Sequence, residues 1–344
     1  MEHQDKNQVI LLAERPAGIP TESTFELKEI GMPELKKGEV FVKLLYVSVD
    51  PGMRGFMNKG TDDAIGLKFE IGFPITSRSV AQVVESKSGE FAKGDIVSSR
   101  LPWQIYQTID AKKVEKVDPT LGSISTAVGV LGVPGLAAYF GLEKIGEIKK
   151  GQTVVVSGAA GGVGSIAVQI AKIKGCRVIG IAGSEKKIEY LEKEIGIDVG
   201  INYKKTDDLA KAISEACPNG VDIFFDNVGG KTFDAVLGSI NKHARLVICG
   251  EISDYNENHP PQGPRPHHIL IQKSARMEGY VVFDFMDEFE SAKKEISQWL
   301  KSGELKYREN LIEGFENIPA AFIGLFKGEN IGKQMVKVSD VTSS

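Results

Sequence analysis

Gly158, Gly161 and Gly164 recur at every third residue directly after the short β-branched run 153–157. Glycines there remove the Cβ atoms that would keep a tight backbone turn away from a bound anion. With Ala159, Ala160, Gly162 and Val163 they form a turn whose N–H groups can receive a pyrophosphate at the start of the following helix. The spacing departs from G-x-G-x-x-G, because Ala160 holds the place of the second glycine. The setting of strand, turn, amphipathic helix and second strand is what points to a dinucleotide site. Ile166, Ile170 and Ile173 give that helix its apolar stripe, and residues 177–182 return as the second strand.

Ligands of open α/β sheets lie beyond the carboxyl ends of the strands, so the strand ends carry the next signals. A protein choosing NAD commonly places an Asp or Glu after the second strand to bind the ribose 2′-hydroxyl, and here the chain reads Gly183-Ser184. Lys187, one turn into the next helix, and Tyr203, ending the third strand, could both reach a 2′-phosphate, which favours NADP. The plainer alternative makes Ser184 a helix cap and Lys187 a solvated lysine, and Glu185 runs against the NADP reading. The fourth strand ends in Asp226-Asn227-Val228-Gly229-Gly230 and the fifth in Cys249-Gly250, so Asn227 and Cys249 should face the nicotinamide. Asp226 is equally a cap or turn residue. Tyr255 follows shortly, and a phenol stays protonated at neutral pH, able to donate to an oxyanion or deliver a proton. A tyrosine that only packs is the alternative.

Other chemistries find less support. His259, His267 and His268 flank a proline-rich loop, but adjacent histidines on a helix point apart and no carboxylate or thiol spacing completes a metal site. No G-x-S-x-G elbow and no P-loop lysine pattern is present. Cys176, Cys217 and Cys249 are odd in number, far apart and without CxxC spacing, as expected of buried thiols in a reducing compartment.

The elements that must position these groups divide the chain in two. Residues 9–117 hold short apolar runs parted by Gly, Pro, Asn and Asp: 25–30, 40–49, 79–86, 96–99 and 103–109, an antiparallel meander suited to a barrel or sandwich. A long glycine-containing segment from Asp50 to Pro74 is read as a substrate-pocket wall. Composition changes near Ser123, where helical patterns begin, with Pro134 marking a break. From 153 onward strand and helix alternate through six strands, ending in MEGYVVF (277–283), and describe a doubly wound α/β parallel sheet. After a long amphipathic helix the last forty or so residues change character and are expected to rejoin the first domain. The expected division is 1–125, 126–300 and a returning 301–344.

At 344 residues, 42% hydrophobic and 26% charged, the chain has ordinary globular composition with length for two cores. A net charge of −4 gives no electrostatic footprint for nucleic acid or an anionic membrane, which leaves small-molecule partners. The polar start and the lack of any window near the roughly 18 apolar residues of a spanning helix lead us to expect a cytoplasmic protein.

With these motifs in view the sequence resembles the zinc-independent medium-chain dehydrogenases/reductases, and within them the NADP-dependent alkenal double-bond reductases with the prostaglandin/leukotriene and curcumin reductases. The carriers are VSVDPGMRG (47–55), GVPGLAAYFGL (132–142), SGAAGGVGSIAVQIAKIKGCRVIG (157–180), FDNVGG (225–230), CGEISDYN (249–256), ARMEGYVV (275–282) and GENIGKQMV (328–336). The resemblance implies a Rossmann domain beside a GroES-like barrel. It implies Lys187 and Tyr203 on the 2′-phosphate, the Ala159-to-Val163 turn on the pyrophosphate, and Asn330 reaching the cofactor from the tail. It makes Tyr255 the proton donor or oxyanion partner, with Asp50, Met53, Arg54 and Val133 around the substrate. The implied reaction is hydride transfer from NADPH to the β-carbon of an enal or enone without zinc, in a homodimer; a quinone reductase or a non-catalytic NADPH-binding protein is the alternative. The sequence departs from the family where Gly52 replaces a frequent aromatic, Val133 a frequent methionine, and Arg78 and Ser79 common glycines, which bears on which enone is accepted.

Overall fold

The computed structural model describes residues 7–59, 67–257, 259 and 262–342; the 60–66 part of the expected pocket wall lies outside the described residues. The chain forms two compact units. The first comprises Met1–Val128, Asn310–Glu329 and Gln334–Ser344, the second Gly129–Glu309 with Asn330–Lys333.

In the first unit β1 (Asn7–Leu12) pairs antiparallel with β2 (Phe25–Ile30). A mostly antiparallel sheet follows, from β3 (Glu39–Ser48), β4 (Thr76–Ser86), β5 (Ile96–Pro102), β6 (Tyr106–Asp110) and β7 (Glu115–Lys116). Val40, Val42 and Leu44 alternate inward along β3, and a register shift between Leu44 and Tyr46 lets Leu45 and Val47 be buried as well. The run 103–109 is not one strand. Trp103 is fully buried, its indole donates to Ser77 Oγ at 2.9 Å, and the chain turns before β6 begins at Tyr106. Between β3 and β4, Pro51–Met57 winds into 3-10 turns that bury Met53, Arg54 and Met57.

The second unit opens with α1 (Val133–Phe140), whose Pro134 sits in the first turn where its missing N–H costs nothing. The expected helix before it shrinks to a 3-10 segment, Ile124–Val128. The sheet then builds through β8 (Thr153–Ser157), α2 (Gly164–Ile173), β9 (Arg177–Ala182), α3 (Glu185–Glu189), β10 (Val199–Asn202), α4 (Leu209–Ala216) and β11 (Val221–Asp226). It continues through α5 (Gly230–Leu237), β12 (Ile240–Ile248), α6 (His267–Lys273) and β13 (Arg276–Gly279). Its six strands are all parallel, in the order β10-β9-β8-β11-β12-β13. Every residue of β8 is buried, as a strand covered on both faces requires. The order reverses between β8 and β11, which places the ligand crevice at their carboxyl ends. β13 stops at Gly279, shorter than MEGYVVF suggested, because the chain turns into 3-10 geometry at Val282–Glu288.

After α7 (Phe289–Ser302) the chain returns as β14 (Glu309–Glu313), α8 (Ile318–Lys327) and β15 (Lys333–Lys337). β15 pairs antiparallel with β3, Met335 opposite Ser48, and completes a seven-stranded sheet. Phe315, Ile318, Phe322 and Val336 join Val40, Val42, Leu44 and Trp103 in the first unit's core. A doubly wound α/β parallel sheet together with a β-rich unit is the expected fold class.

Candidate functional site

At the end of β8 Gly158 takes the left-handed conformation, φ 58°, and the chain turns so that Gly161 N–H donates to its carbonyl at 2.9 Å. Gly164 begins α2 so close beneath the turn that a Cβ there would lie 2.3 Å from Gly158 O. Ala159 and Ala160 are buried under the turn. Asn330–Lys333 lies alongside: Gly161 bridges Gly332, Gly332 N–H donates to Ala160 O at 2.8 Å, and Lys333 packs against Gly162. Asn330 is buried and turns its amide onto Gly332 O at 2.8 Å, so it orders this strap. A Cβ at Gly161, Gly162 or Gly164 would press on Gly158 O, Lys333 or the turn backbone, so these glycines keep the turn tight at the start of α2, where backbone N–H groups could receive a pyrophosphate.

Parallel pairing of β8 with β11 sets Ser157 beside Asp226. Ser157 Oγ donates to Asp226 Oδ1 at 2.5 Å and accepts from Asn227 N–H at 2.8 Å, while Asn227 Nδ2 donates to Ser157 O at 2.7 Å. Asp226 also accepts from Val228 and Gly229 N–H. Burial raises its carboxyl pKa; the bonds from Ser157, Val228 and Gly229 oppose that rise. The carboxylate thus ties together the two strand ends that flank the crevice. It is a structural clamp, and Asn227 is held by Ser157 beside it.

Cys249 and Gly250 follow β12, and both backbone N–H groups donate to Asp226 O. Tyr255 folds back over this end: its hydroxyl accepts from Glu251 N–H at 3.2 Å and lies over Gly250, where a Cβ would sit 3.1 Å away. That bond uses a lone pair and leaves the phenolic proton to be donated. Burial raises the pKa of Tyr255, so the proton stays on at neutral pH. Burial also lifts the Cys249 thiol to about 11, which keeps it neutral. Tyr280 escaped the sequence reading. Its hydroxyl donates to Ala137 O at 2.6 Å, and burial pushes its pKa well up beside Cys249. Val133 is half-buried at the start of α1.

Beyond β9, Ser184 caps α3, its Oγ accepting from Lys187 N–H at 3.3 Å. The Tyr203 ring lies over Gly183, where a Cβ would come 2.9 Å from it, and Tyr203 N–H donates to Ala182 O. Lys187 is half-buried, and burial together with the nearby Lys204 lowers its pKa. Lys204 reaches over the Tyr203 ring, 6.0 Å from its centre. Two ammonium groups that repel each other beside a tyrosine favour an anion. The structure brings Ser184, Lys187, Tyr203 and Lys204 into one neighbourhood.

The candidate substrate residues in the first unit make contacts within it. Met53 joins the core, and the buried Arg54 guanidinium donates to Pro16 O, Gly18 O and Asn58 Oδ1, bracing the loop. Asp50 accepts from Ser48 Oγ at 2.6 Å. A Cβ at Gly52 would meet nothing within 4 Å, so its missing side chain leaves open space. Ser79 is buried within β4, and Arg78 lies beside it on the same strand. Among the described residues no group of three or more His, Cys, Asp or Glu is arranged to hold a metal ion.

Comparison with known proteins agrees with this geometry. Residues 8–117 match the family described as N-terminal domain of oxidoreductase and residues 162–298 that described as zinc-binding dehydrogenase. The protein YfmJ of Bacillus subtilis (strain 168) is 50% identical over 335 residues, 97% of this chain and 98% of that protein. The NADP+-dependent 2-alkenal reductase of Nicotiana tabacum is 39% identical, covering 98% of this chain and 99% of its own. The crystal structure of CurA from Vibrio vulnificus in complex with NADPH superimposes with a TM-score of 0.91 at 40% identity, over 97% of this chain and 99% of that one.

Proposed function

From the premise that the chain belongs to the medium-chain dehydrogenases/reductases, in their NADP-dependent double-bond reductase group, we propose that it reduces the α,β-carbon-carbon double bond of enals and enones. The observation that carries this reading is the Tyr255 hydroxyl, held protonated over the Cys249-Gly250 strand end in the unit that bears the dinucleotide cradle. NADPH, when bound, supplies the hydride that the β-carbon receives. The turn from Gly158 to Gly164 holds the pyrophosphate and Ser184, Lys187 and Tyr203 hold the 2′-phosphate, with Asn330 ordering the strap beside them. Asn227 and Cys249 line the nicotinamide end. As electrons move toward the carbonyl, negative charge gathers on its oxygen, and the Tyr255 O–H is suited to stabilise it by a hydrogen bond. Protonation at the α-carbon completes the reduction.

We take the reaction to be zinc-independent, despite the name of the matched dehydrogenase family. A Tyr255 O–H donated to the charge developing on the carbonyl oxygen fills the role that a metal would otherwise take. Val133, half-buried at the start of α1, is assigned to substrate choice. A homodimer is favoured by β13, an edge strand of the parallel sheet that leaves Met277 exposed, with Ile271 and Met286 exposed nearby in sequence. A cytoplasmic location suits three separate free cysteines; no helix among the described residues is long and apolar enough to cross a membrane. The test follows NADPH absorbance with a medium-chain 2-alkenal and an aryl enone, identifies the product, and repeats the assay with a chelator. Saturated aldehyde or ketone formed at an unchanged rate under chelator is expected. Consumption with simple quinones alone would refute the double-bond assignment.

A further inference from the structure

Glu185 is an acid of the type that NAD-binding sites use, placed one residue beyond the cap of α3. It is held elsewhere. Its Oε1 accepts from Asn202 Nδ2 at 2.6 Å and lies 3.4 Å from Lys205 Nζ. Asn202, the last residue of β10, has its own orientation set by the turn that follows. Its Oδ1 accepts from Lys204 N–H at 3.2 Å, and its backbone carbonyl accepts from Lys205 N–H and Thr206 Oγ1. With the amide oxygen so occupied, the NH₂ end faces Glu185. Consecutive lysines then point to different partners: Lys204 lies over the Tyr203 ring, near enough to repel Lys187, and Lys205 lies beside Glu185.

We infer that Asn202 and Lys205 are positioning residues that draw the Glu185 carboxylate away from the 2′-phosphate site and so set the preference for NADPH over NADH. A free Glu185 would repel the phosphate dianion and offer an acceptor to a 2′-hydroxyl, penalising one cofactor and favouring the other. Both contacts to Glu185 are exposed, so the effect is graded rather than absolute.

This inference rests on the NADPH reading, and the experiment separates the two. Dissociation constants for NADPH and NADH are measured by nicotinamide fluorescence at low salt for wild type, Lys205→Ala, Asn202→Ala/Lys205→Ala, and each of these with Glu185→Gln added. In the double variant NADPH binding weakens by about tenfold while NADH binding holds or tightens. Adding Glu185→Gln restores NADPH to within about twofold of wild type. Lys205→Ala keeps Asn202 and its turn, so it guards against a folding defect and should show a smaller split with the same rescue. Equal weakening for both cofactors, or no rescue by Glu185→Gln, overturns the positioning role while leaving the NADPH reading in place. A wild-type chain that binds both cofactors alike overturns the NADPH reading and this inference with it.

Discussion

Replacing Gly164 with alanine tests the glycine turn most directly. The added Cβ would lie 2.3 Å from Gly158 O, 2.8 Å from Ala159 Cα and 2.9 Å from Gly158 C, all inside the 3.0 Å that real Cβ contacts respect. All three atoms are backbone, so no side chain can rotate away; the turn itself must open. Overpacking of a close-packed interior costs about 1–3 kcal/mol, and a clash with fixed backbone belongs at the upper end. A loss of about 3 kcal/mol corresponds to a fall in melting temperature of about 6–12 °C for a unit of this size. Moving the N–H groups of the turn should weaken NADPH binding by at least about tenfold. Two further substitutions grade the effect. At Gly161 the nearest atom is Gly158 O at 3.2 Å, so Gly161→Ala should cost about 1 kcal/mol or less. At Gly238, helical with φ −65° and nothing within 4 Å, alanine should stabilise by about 0.4–1 kcal/mol. Differential scanning fluorimetry and NADPH titration read all three. A Gly164→Ala protein that melts and binds like wild type, or fares no worse than Gly161→Ala, refutes the reasoning.

Tyr255→Phe removes one oxygen and should lower turnover by about 10²–10³ while NADPH affinity stays within about twofold; an undiminished rate removes Tyr255 from the chemistry. Because burial raises the Tyr255 pKa, wild-type activity should also persist into alkaline buffer, with the phenolate loss falling above about pH 10. Lys187→Glu reverses a half-buried charge and should weaken NADPH binding by about a hundredfold with NADH changed by less than about threefold; a common loss for both would place Lys187 elsewhere. Asp226 has a folded pKa raised by burial, so its protonated form contributes stability that is full below the ordinary carboxylate pKa and is lost as pH rises through the raised value. Asp226→Asn should therefore melt within about 1 kcal/mol of wild type at neutral pH and flatten the acid limb of the stability profile, whereas Asp226→Ala, which strands Ser157 Oγ and two N–H groups, should cost about 2–4 kcal/mol. Urea melts across pH compare the three proteins, and an unchanged acid limb in Asp226→Asn would contradict the assignment.

The parts of the fold that could be read in the sequence are those where periodicity and burial coincide. Thr153–Ser157 is apolar throughout because both faces are covered, and the alternation of apolar runs with amphipathic stretches gave all six strands of the parallel sheet. Local chemistry also served at Ser184, which caps α3 as its type suggests. What escaped depends on distant partners. MEGYVVF has strand composition, yet Tyr280 gives its hydroxyl to Ala137 and the strand stops before it. WQIYQTI breaks because Trp103 is drawn into the core with its indole on Ser77. Asp226 reads as a turn residue until β8 and β11 pair and bring Ser157 against it. Glu185 looked like an argument for NAD because nothing nearby in sequence shows that Asn202 holds it.

The pairing of Lys333–Lys337 with Glu39–Ser48 imposes an order of events at the ribosome. Residues 46–48 emerge early and their partners last, so the first unit's sheet waits with an unpaired edge while the six parallel strands of the second unit are already available to fold. Val336 enters a core most of whose members come from the first part of the chain, and Met335 closes the small cluster around Leu45, Val80 and Val128. A chain halted before Lys333 would carry both the open edge and the unfilled core, the two features by which nascent proteins stick to one another. The pairing of β15 with β3 is thus the step that closes this edge and fills this core, and β15 serves as its seal.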